Sequence, residues 1–573
     1  MNITEIRALH GPNFYSQQPV ILLSLHVEEL DHQPTSSRAD FKEKIEALIP
    51  TLYEHRNTHG EEGAFLEQLD VGASVARVVE HVALELQRLI GHDVSFSKTK
   101  PLQDKGHYHV AYQYINEEVG LRSAQMSLEI VQALYEGAVV DLSEYLSELR
   151  DTETNYPYEP LKESHIPICA ITGTNGKTTT TRLIAHILQT VGHKVGLTST
   201  DHVSIDGIPI LKGDYSGPGG AKEVMKDPRV DVAVLEVARG GILRRGLGFP
   251  SCDVGVLLNV TSDHLGLGGI DTLEDLALVK STVTESVKKN GWAVFNADDQ
   301  ETQQVINRTQ AKTLLFSRDS HHPLLKNNLE AGFINVTLED GHILLQLPEK
   351  TIQVIDIEHI PISFGGRAMF NVDNAMAALA ASYALGVELE YIRAGLRSFQ
   401  PSFKHSAGRL NLVDLGPFHV LIDYGHNVAA IRALAEFLNA FPAKRVIRMA
   451  AGVGDRKTKD LYEFGLASAV PGDLFFLSDP SPRGRALGET PEIIRHALIS
   501  RGVAPENIHL EYREVDATRR ALEAAEPGDL VVLQIENVQR VTQDVLDFKE
   551  KIERETMYDR PHDSKWIEER KSL

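Results

Sequence analysis

A short loop with two glycines and a lysine, "GTNGKT" at residues 173–178, follows an apolar run and precedes a helical pattern. Backbone N–H groups at the start of a helix, together with the helix dipole, attract phosphate. Glycines let the backbone approach phosphate closely, the ammonium of Lys177 can reach terminal phosphates, and the hydroxyl of Thr178 is placed to bind Mg²⁺. The loop therefore predicts a site for a nucleoside triphosphate and magnesium.

The spacing of this loop is tighter than that of the usual phosphate-binding loop. That loop has a glycine five residues before the position of Gly176, and this chain has Ile171 there. Two interpretations follow from the residues alone. The segment is either a nucleotide site with a shorter loop or a structural turn that contains a lysine.

Polar side chains follow two later strand-like runs. Glu236 ends "VDVAVLEV", and Asn259, Asp263 and His264 follow "DVGVLLNV". In an open parallel sheet ligands bind beyond the carboxyl ends of the strands, so we expect these groups to lie near the loop. A hydroxyl, a carboxylate and an imidazole suit Mg²⁺, and we predict Thr178, Glu236 and His264 as metal ligands. Taken singly, Glu236 is equally well an ion-pair partner and His264 a capping residue.

The elements that must position these groups alternate between β-branched runs and helices from residue 166 onward, and a second such series begins after about residue 405. This alternation predicts an α/β fold with mostly parallel sheets, preceded by an α+β module. The stretch 147–164 shows no clear apolar periodicity and contains two prolines, so it is predicted to be a linker. The predicted divisions of the chain are 1–160, 161–404, 405–545 and a charged tail, 546–573. The tail is expected to form a terminal helix with a frayed end.

The composition excludes several classes of protein. The chain has 573 residues and a formal net charge of −22, which argues against general nucleic-acid binding and against binding to an anionic membrane surface. The sequence begins without a basic and apolar leader, and no run is long enough to span a bilayer. Its two cysteines lie in apolar segments, so a disulfide scaffold is not expected and the cytoplasm is the predicted compartment.

The motifs "GTNGKTT", "NVTSDHLG", "NADD" and "DYGHN" resemble those of the Mur ligases, a family of ATP-dependent amide ligases that includes the folylpolyglutamate synthases. The resemblance implies that this shortened loop is the sequence pattern of that family, which favours a nucleotide site over a structural turn. The resemblance implies a P-loop central domain, a Rossmann-like C-terminal domain, and ATP and Mg²⁺ as cofactors.

Longer stretches, among them "LEVARGGILRRGLGF" and "FLEQLDVGASVARVVEHVALELQ", resemble the cyanophycin synthetases, which build a poly-aspartate backbone bearing arginine. Those enzymes carry an ATP-grasp domain between an N-terminal module and the Mur-type half. Here only the segment 147–164 separates the two. The resemblance therefore implies one ligation site rather than two.

The resemblance also assigns roles to individual residues. Lys280 matches a carbamylated lysine that bridges a second Mg²⁺, although an ordinary surface lysine explains it equally well. Asn371 matches an adenine contact, while Phe370 replaces the usual histidine before it. Arg409, Asp423 and His426 reach the phosphates and ribose. The predicted catalytic residues are Lys177, His264, Lys280 and Arg409. The predicted nucleotide-binding residues are Gly173, Thr174, Asn175, Gly176, Lys177, Thr178, Thr179, Asn371, Arg409, Asp423 and His426.

The predicted reaction activates a carboxylate as an acyl phosphate and couples it to an amino acid or amine. Arg239, Arg244 and Arg245 either grip carboxylates of an acidic peptide or form a solvated basic face. Asp479 and Glu489 either hold a cationic amino acid or cap a helix. A homo-oligomer is compatible with the family. The alternative function is a non-catalytic relative that binds nucleotide or polymer.

Overall fold

A computed structural model describes residues 1–38, 40–55, 61–158, 161, 163–263, 265–266 and 268–558. Its strands form three sheets, located within residues 2–113, 168–356 and 411–534. The predicted α/β class is confirmed by the two larger sheets. No helix in the described ranges combines the length and apolar character needed to cross a bilayer.

The N-terminal sheet is antiparallel and has the order β1-β2-β4-β3. Its helices pack on one face around a single apolar core. The strands are β1 (Asn2–Leu9), β2 (Val20–His26), β3 (Ser97–Pro101) and β4 (His107–Gln113). The helices are α1 (Phe41–Leu48), α2 (Ala64–Val71), α3 (Val75–Leu89), α4 (Glu117–Glu136) and α5 (Leu142–Asn155).

Helix α5 corrects the linker predicted at 147–164. Its apolar residues Leu142, Leu146 and Leu149 recur at helical spacing and pack on the N-terminal core, and Asp141 caps its first turn. Most of that periodicity lies before residue 147, where the prediction placed the start of the linker. The connection to the next sheet is therefore shorter than predicted.

The central sheet has eleven strands among the described residues, in the order β15-β14-β13-β12-β11-β10-β5-β9-β6-β7-β8. Its middle is parallel, and antiparallel hairpins extend both edges. The strands are β5 (Ile168–Thr172), β6 (Val195–Thr198), β7 (His202–Ile205), β8 (Ile208–Lys212), β9 (Val232–Glu236), β10 (Cys252–Leu257), β11 (Val287–Asn296), β12 (Lys312–Ser317), β13 (Ile334–Glu339), β14 (His342–Leu347) and β15 (Lys350–Asp356).

Helices cover both faces of this sheet because the strands are apolar on both sides. Cys169 and Ile171 of β5 face one core, whereas Ile168 and Ala170 face the other. The first core is covered by α6 (Lys177–Val191), α12 (Met369–Ala384) and α13 (Leu389–Ser398). The second is covered by α7 (Pro218–Lys226), α8 (Arg239–Arg245), α9 (Leu273–Glu285), α10 (Gln300–Val305) and α11 (Pro323–Glu330).

The C-terminal sheet has the order β16-β17-β21-β18-β19-β20 and is parallel except for β16. Its strands are β16 (Asn411–Asp414), β17 (His419–Asp423), β18 (Val446–Ala451), β19 (Leu474–Ser478), β20 (Ile508–Leu510) and β21 (Leu530–Gln534). Its helices are α14 (Phe403–Ser406), α15 (Val428–Ala440), α16 (Thr458–Ser468), α17 (Glu489–Ser500), α18 (Glu514–Glu523) and α19 (Val538–Tyr558). Short 3₁₀ helices occur at Glu28–His32, Thr35–Ser37, Pro50–Glu54, Ile306–Arg308, Ile357–His359, Pro361–Ser363 and Pro505–Asn507.

Helix α19 crosses the boundary predicted between residues 545 and 546. Val541, Val545, Phe548 and Ile552 recur at spacings of four and three and pack on the C-terminal core. The terminal helix expected for the charged tail is thus confirmed within the described residues, and it begins before the predicted boundary. The remainder of the predicted tail, 559–573, lies outside the described residues.

Candidate active site

The loop 173–176 joins β5 to α6, as the sequence predicts. Gly176 is the N-cap of α6 and has φ +85°, a left-handed conformation that side chains disfavour. A Cβ atom at this position would also overlap the Oδ1 of Asn374 on α12. The glycine is therefore required both by the turn and by the close approach of α12.

Asn259, which follows β10, holds the loop in place. Its Oδ1 accepts hydrogen bonds from the backbone N–H groups of Thr174 (3.2 Å) and Asn175 (2.9 Å), and its backbone oxygen accepts a second bond from Thr174. The hydroxyl of Thr174 also donates to the backbone oxygen of Thr261. The strand next to β5 thus fixes the shape of the loop, as expected for neighbouring strand ends.

Two lysines converge on the loop. The Nζ of Lys177 donates to the backbone oxygens of Thr174 (2.8 Å) and Gly173 (3.1 Å), and the Nζ of Lys280 on α9 donates to the Gly173 oxygen at 2.7 Å. Lys280 is only 4% exposed, which excludes the surface-lysine interpretation. Burial lowers the pKa of both ammonium groups, and the charge of Lys177 adds to the lowering for Lys280.

Glu236 and Thr178 form the oxygen-rich side of the loop. The hydroxyl of Thr178 donates to the Oε1 of Glu236 at 3.2 Å, and the Glu236 Oε2 is buried without a hydrogen-bond partner in the part of the chain that the structure describes. Burial raises the pKa of Glu236, and the charges of Lys177 and Arg409 oppose that rise. An orphaned carboxylate oxygen beside a hydroxyl fits a hard cation such as Mg²⁺.

The third predicted metal ligand, His264, lies outside the described residues. Within the ranges that are described, no group of three or more His, Cys, Asp or Glu side chains is arranged around a common point for a metal. Thr178 and Glu236 therefore supply the donor atoms that can be placed.

Arg409 reaches the loop from the C-terminal sheet. Its Nη2 lies 3.4 Å from the Thr178 hydroxyl oxygen, and its guanidinium carbon lies 4.6 Å from the ring centroid of Tyr424. The two oxygens of Asp423 accept the backbone N–H groups of Gly425 (2.7 Å) and Leu410 (2.9 Å). Burial raises the pKa of Asp423. The carboxylate thereby shapes the turn that presents Arg409.

His426 lies two residues beyond Tyr424 and hydrogen-bonds its backbone oxygen through Nδ1 at 3.0 Å. This contact makes Nδ1 the protonated nitrogen of the neutral ring. Burial lowers the pKa of His426 to about 4, so the ring is neutral at neutral pH and its Nε2 is an acceptor.

Asn371 is buried on α12 and does not line the main cleft. Its Nδ2 donates to the backbone oxygen of Ile362 at 2.9 Å, and its Oδ1 accepts from Asn374 at 3.0 Å. Asn374 in turn accepts from the hydroxyl of Thr180. Sequence reasoning missed Asn374, although its position one helical turn after Asn371 was a signal. Thr179 is buried on the first turn of α6.

Two polar bridges link the loop region to the C-terminal sheet. The amides of Asn175 and Asn427 donate to each other at 3.2 and 2.8 Å, and Asn427 also caps α15. The second bridge is an ion pair between Asp263 and Arg456, whose side chain is 7% exposed. Neither Asn427 nor Arg456 was predicted as a site residue, because their partners are distant in sequence.

Residues associated with all three sheets line one main cleft of about 610 Å³. Lys177, Lys280, Arg239, Arg244 and His426 line it, and the N-terminal sheet adds Arg7 and His109. Arg245 does not line the cleft. Asp479 accepts from the N–H of Gly488, the N-cap of α17, and Glu489 pairs with Arg485. The capping interpretation is favoured for Asp479.

The N-terminal module carries a buried polar cluster that lies apart from this cleft. His55 contacts His81 through the two Nδ1 atoms (2.8 Å) and contacts Glu85 through Nε2 (2.6 Å). The fold thus brings a second histidine, His55, beside His81 of α3 from another segment of the chain. The described residues nevertheless contain no metal-type group of three or more ligands.

Family models match three consecutive parts of the chain. They are a cyanophycin synthase-like N-terminal domain at residues 22–136, a Mur ligase middle domain at 171–382 and a Mur ligase glutamate ligase domain at 408–534. The two Mur ligase models together match more than half of the chain. The chain therefore belongs to the Mur ligase family of ATP-dependent amide ligases.

Within that family the chain is similar to the cyanophycin synthetase of Synechocystis sp., with 43% identity over 382 residues, 66% of this chain and 43% of that enzyme. It thus spans less than half the length of this curated relative. Between residues 136 and 171 no family model matches, which confirms that no ATP-grasp domain is inserted there.

More distant relatives share the same part of the chain. The UDP-N-acetylmuramoyl-L-alanyl-D-glutamate–2,6-diaminopimelate ligase of Caldanaerobacter subterraneus is 28% identical over 65% of this chain and 73% of that enzyme. A bifunctional folylpolyglutamate synthase/dihydrofolate synthase, solved with Mn, AMPPNP and L-glutamate, has a TM-score of 0.50 at 21% identity. It covers 67% of this chain and 91% of that one.

Proposed function

We propose that this protein is an ATP- and Mg²⁺-dependent ligase that joins a carboxylate of an acidic acceptor to an amino acid or amine. The convergence of Lys177, Lys280, Glu236 and Arg409 on one glycine loop carries this proposal. Membership of the Mur ligase family supports it, as does the synthase relative solved with a nucleotide analogue, a metal and an amino acid.

The first task of the site is to bring a triphosphate and a carboxylate together despite their like charges. The loop N–H groups and the ammonium of Lys177 stabilise the terminal phosphates, and Arg409 contributes a second cation from the C-terminal sheet. The ammonium groups of Lys177 and Lys280 both donate a hydrogen bond to the Gly173 oxygen, and in this proposal they lie beside the bound phosphates. His426 lines the same cleft and joins the nucleotide-binding set in this proposal. Asp423, by contrast, supports the turn that carries Arg409, and Asn371 is buried away from the cleft.

Thr178 and Glu236 would hold Mg²⁺, together with His264. When bound, the ion supplies positive charge that offsets the charge of the triphosphate. The orphaned Oε2 of Glu236 supports this assignment, since a buried carboxylate oxygen without a partner is otherwise costly.

In the reaction, an oxygen of the acceptor carboxylate bonds to the γ-phosphorus while the bond to the bridging oxygen breaks and ADP leaves. The amine nitrogen then bonds to the acyl carbon, inorganic phosphate leaves, and the amine loses a proton. His426 lines the cleft, and in its neutral ring Nε2 is the nitrogen that can accept that proton. The bridges to the C-terminal sheet exclude water from the acyl phosphate.

The acceptor is assigned to the basic wall of the cleft. Arg239, Arg244 and Arg7 line the same cleft as the loop lysines, and planar guanidinium groups bind carboxylates in two-point contacts. The overall charge of −22 makes such a basic wall a local exception. A peptide with several carboxylates is the substrate class that this wall favours.

The test is phosphate release by the purified protein. With ATP, Mg²⁺, a tetra-aspartate peptide and a panel of amino acids, we expect release only when acid and amine are both present, and a product whose mass equals their sum less one water. Lys177→Ala should lower the rate by about 10²–10³-fold. Lys326→Ala, on the exposed side of α11, is the matched control and should leave the rate unchanged.

Binding of ADP without turnover for any pair of substrates would contradict the ligase proposal. That outcome would favour the alternative of a non-catalytic nucleotide-binding relative.

A further inference from the structure

A second cavity, of about 620 Å³, shares no lining residue with the main cleft. We call it the connector cavity, because the segment 399–407 that connects the central and C-terminal sheets forms one of its walls. The other walls are α6, the hairpins β6–β8 and the start of α19. Its volume lies in the range of small-molecule sites, about 300–1,000 Å³.

The side chains around this cavity are strongly basic for so acidic a chain. Its lining includes three cations, three histidines and a single carboxylate, that of Asp201. Asp201 is already paired with Arg182. The cations and histidines are Arg182, Lys212, Lys404, His186, His202 and His405. The excess of donors and positive charge selects for an anion.

Arg182 gives a direct sign of a missing partner. Its side chain is only 9% exposed, and its Nε–H is buried without an acceptor among the residues that the structure places. Asp201 binds the other end of the guanidinium, at Nη2. A buried N–H without an acceptor is costly, and an anionic oxygen in the connector cavity would supply one.

The histidines add further polar groups to the lining of this cavity. The Nδ1 of His405 accepts the backbone N–H of Gln400 at 3.1 Å, so the proton of the neutral ring lies on Nε2. His186 contacts the Ser398 hydroxyl at 2.7 Å. The charges facing these two rings are the neighbouring histidine and Lys404.

The connector cavity is joined to the phosphate loop by one helix face. Thr178, Arg182, His186 and Gln189 follow each other on α6 at spacings of four, four and three residues, which places them on one stripe. Thr178 lies at the loop, whereas the other three line the connector cavity.

We propose that the connector cavity binds a small organic polyanion, a molecule with two or more phosphate or carboxylate groups. Arg182, Lys212 and Lys404 neutralise its charge, and the Nε2–H group of His405 donates to its oxygens. Because its walls belong to both the central and the C-terminal sheets, the bound polyanion bridges them. This site is independent of the ligase proposal.

Isothermal titration calorimetry of the full chain with inorganic pyrophosphate, citrate and tetra-aspartate tests the proposal. At least one probe should bind, and the exposed pair Lys212→Glu/Lys404→Glu should weaken that binding at least tenfold. Lys326→Glu on α11 is the matched control and should change the affinity less than twofold. Circular dichroism checks that each variant is folded. The probe that binds distinguishes a phosphate from a carboxylate ligand.

The same titrations with Lys177→Ala separate this site from the phosphate loop. Binding that persists in Lys177→Ala and fails in Lys212→Glu/Lys404→Glu supports the connector cavity. The reverse pattern overturns the proposal. So does the absence of binding by any probe at concentrations up to about 1 mM.

Discussion

At the scale of single residues, Lys280 differs most from what its residue type suggests. A lysine is almost never buried without a partner, yet this side chain lies beneath the phosphate loop with its pKa well below the usual range. A lowered pKa increases the fraction of amine that is uncharged and nucleophilic at a given pH. Such an amine reacts with carbon dioxide to form a carbamate, which carries a carboxylate.

We therefore predict that Lys280 is carbamylated in bicarbonate buffer. Carbon-13 NMR with labelled bicarbonate should show a carbamate signal at pH 7–8 that Lys280→Arg abolishes and Lys326→Arg does not. Because only the uncharged amine reacts, the signal should fall as the pH is lowered through the pKa of Lys280. The absence of a signal from the unsubstituted protein would contradict this prediction.

The sequence predicted those site residues that lie at strand ends or helix starts. Lys177, Thr178 and Glu236 meet because parallel strands end at one edge of the sheet, and that rule needs no long-range information. Asn374 was missed although it lies one helical turn after Asn371. Asn427 and Arg456 each pair with a residue far away along the chain, which the sequence alone does not reveal. Arg448 is a further example, because a charged residue inside β18 gives no sign that it will be fully buried.

At the scale of elements, the β5–loop–α6 unit depends on glycine at one position. Gly176 combines a left-handed backbone with a position that a methyl group cannot share with Asn374. Gly192, at the other end of α6, has a similar φ of +98° but open space around it. An alanine at Gly192 would therefore cost backbone strain alone, whereas an alanine at Gly176 would cost backbone strain and a steric clash.

We predict that Gly176→Ala lowers the thermal unfolding midpoint more than Gly192→Ala does. Backbone strain costs each variant about 1–2 kcal/mol, and Gly176→Ala must also displace Asn374. Calorimetry should show the larger decrease for Gly176→Ala, together with loss of ADP binding in a titration. Equal decreases and unchanged ADP affinity would show that Asn374 moves freely.

Other elements were harder to predict from composition. Helix α5 is rich in charge, and only its apolar stripe reveals that it packs on a core. For α19 a terminal helix was expected, but its apolar stripe and its packing on the C-terminal core were not. The edge hairpins β7–β8 and β14–β15 were missed because short edge strands lack the continuous apolar runs of the buried ones.

At the scale of the whole molecule, the ion pair between Asp263 and Arg456 joins the central and C-terminal sheets. Both side chains are largely buried, so removing one partner leaves the other charge in a poorly solvated position. Loss of one member of such a pair costs about 3–5 kcal/mol. The pair should therefore influence how the two sheets are arranged.

We predict that Asp263→Asn and Arg456→Met each enlarge the radius of gyration in X-ray scattering and lower the thermal midpoint. The double variant should lose less than the sum of the two, with a coupling of about 1–3 kcal/mol. The exposed pair Asp516 and Arg519 on α18 is the matched control and should show a coupling below about 1 kcal/mol. Additive effects at Asp263 and Arg456 would contradict a role in holding the sheets together.

The mutual amide contact between Asn175 and Asn427 has a practical consequence. One amide belongs to the phosphate loop and the other starts α15, so a rotation of the C-terminal sheet must break this contact or pull the loop with it. A pair of fluorophores, one on α15 and one on the exposed face of α11, would accordingly register events at the phosphate loop as a change in energy transfer. Binding of substrates that neither absorb nor fluoresce could then be measured through the change in distance between the two fluorophores.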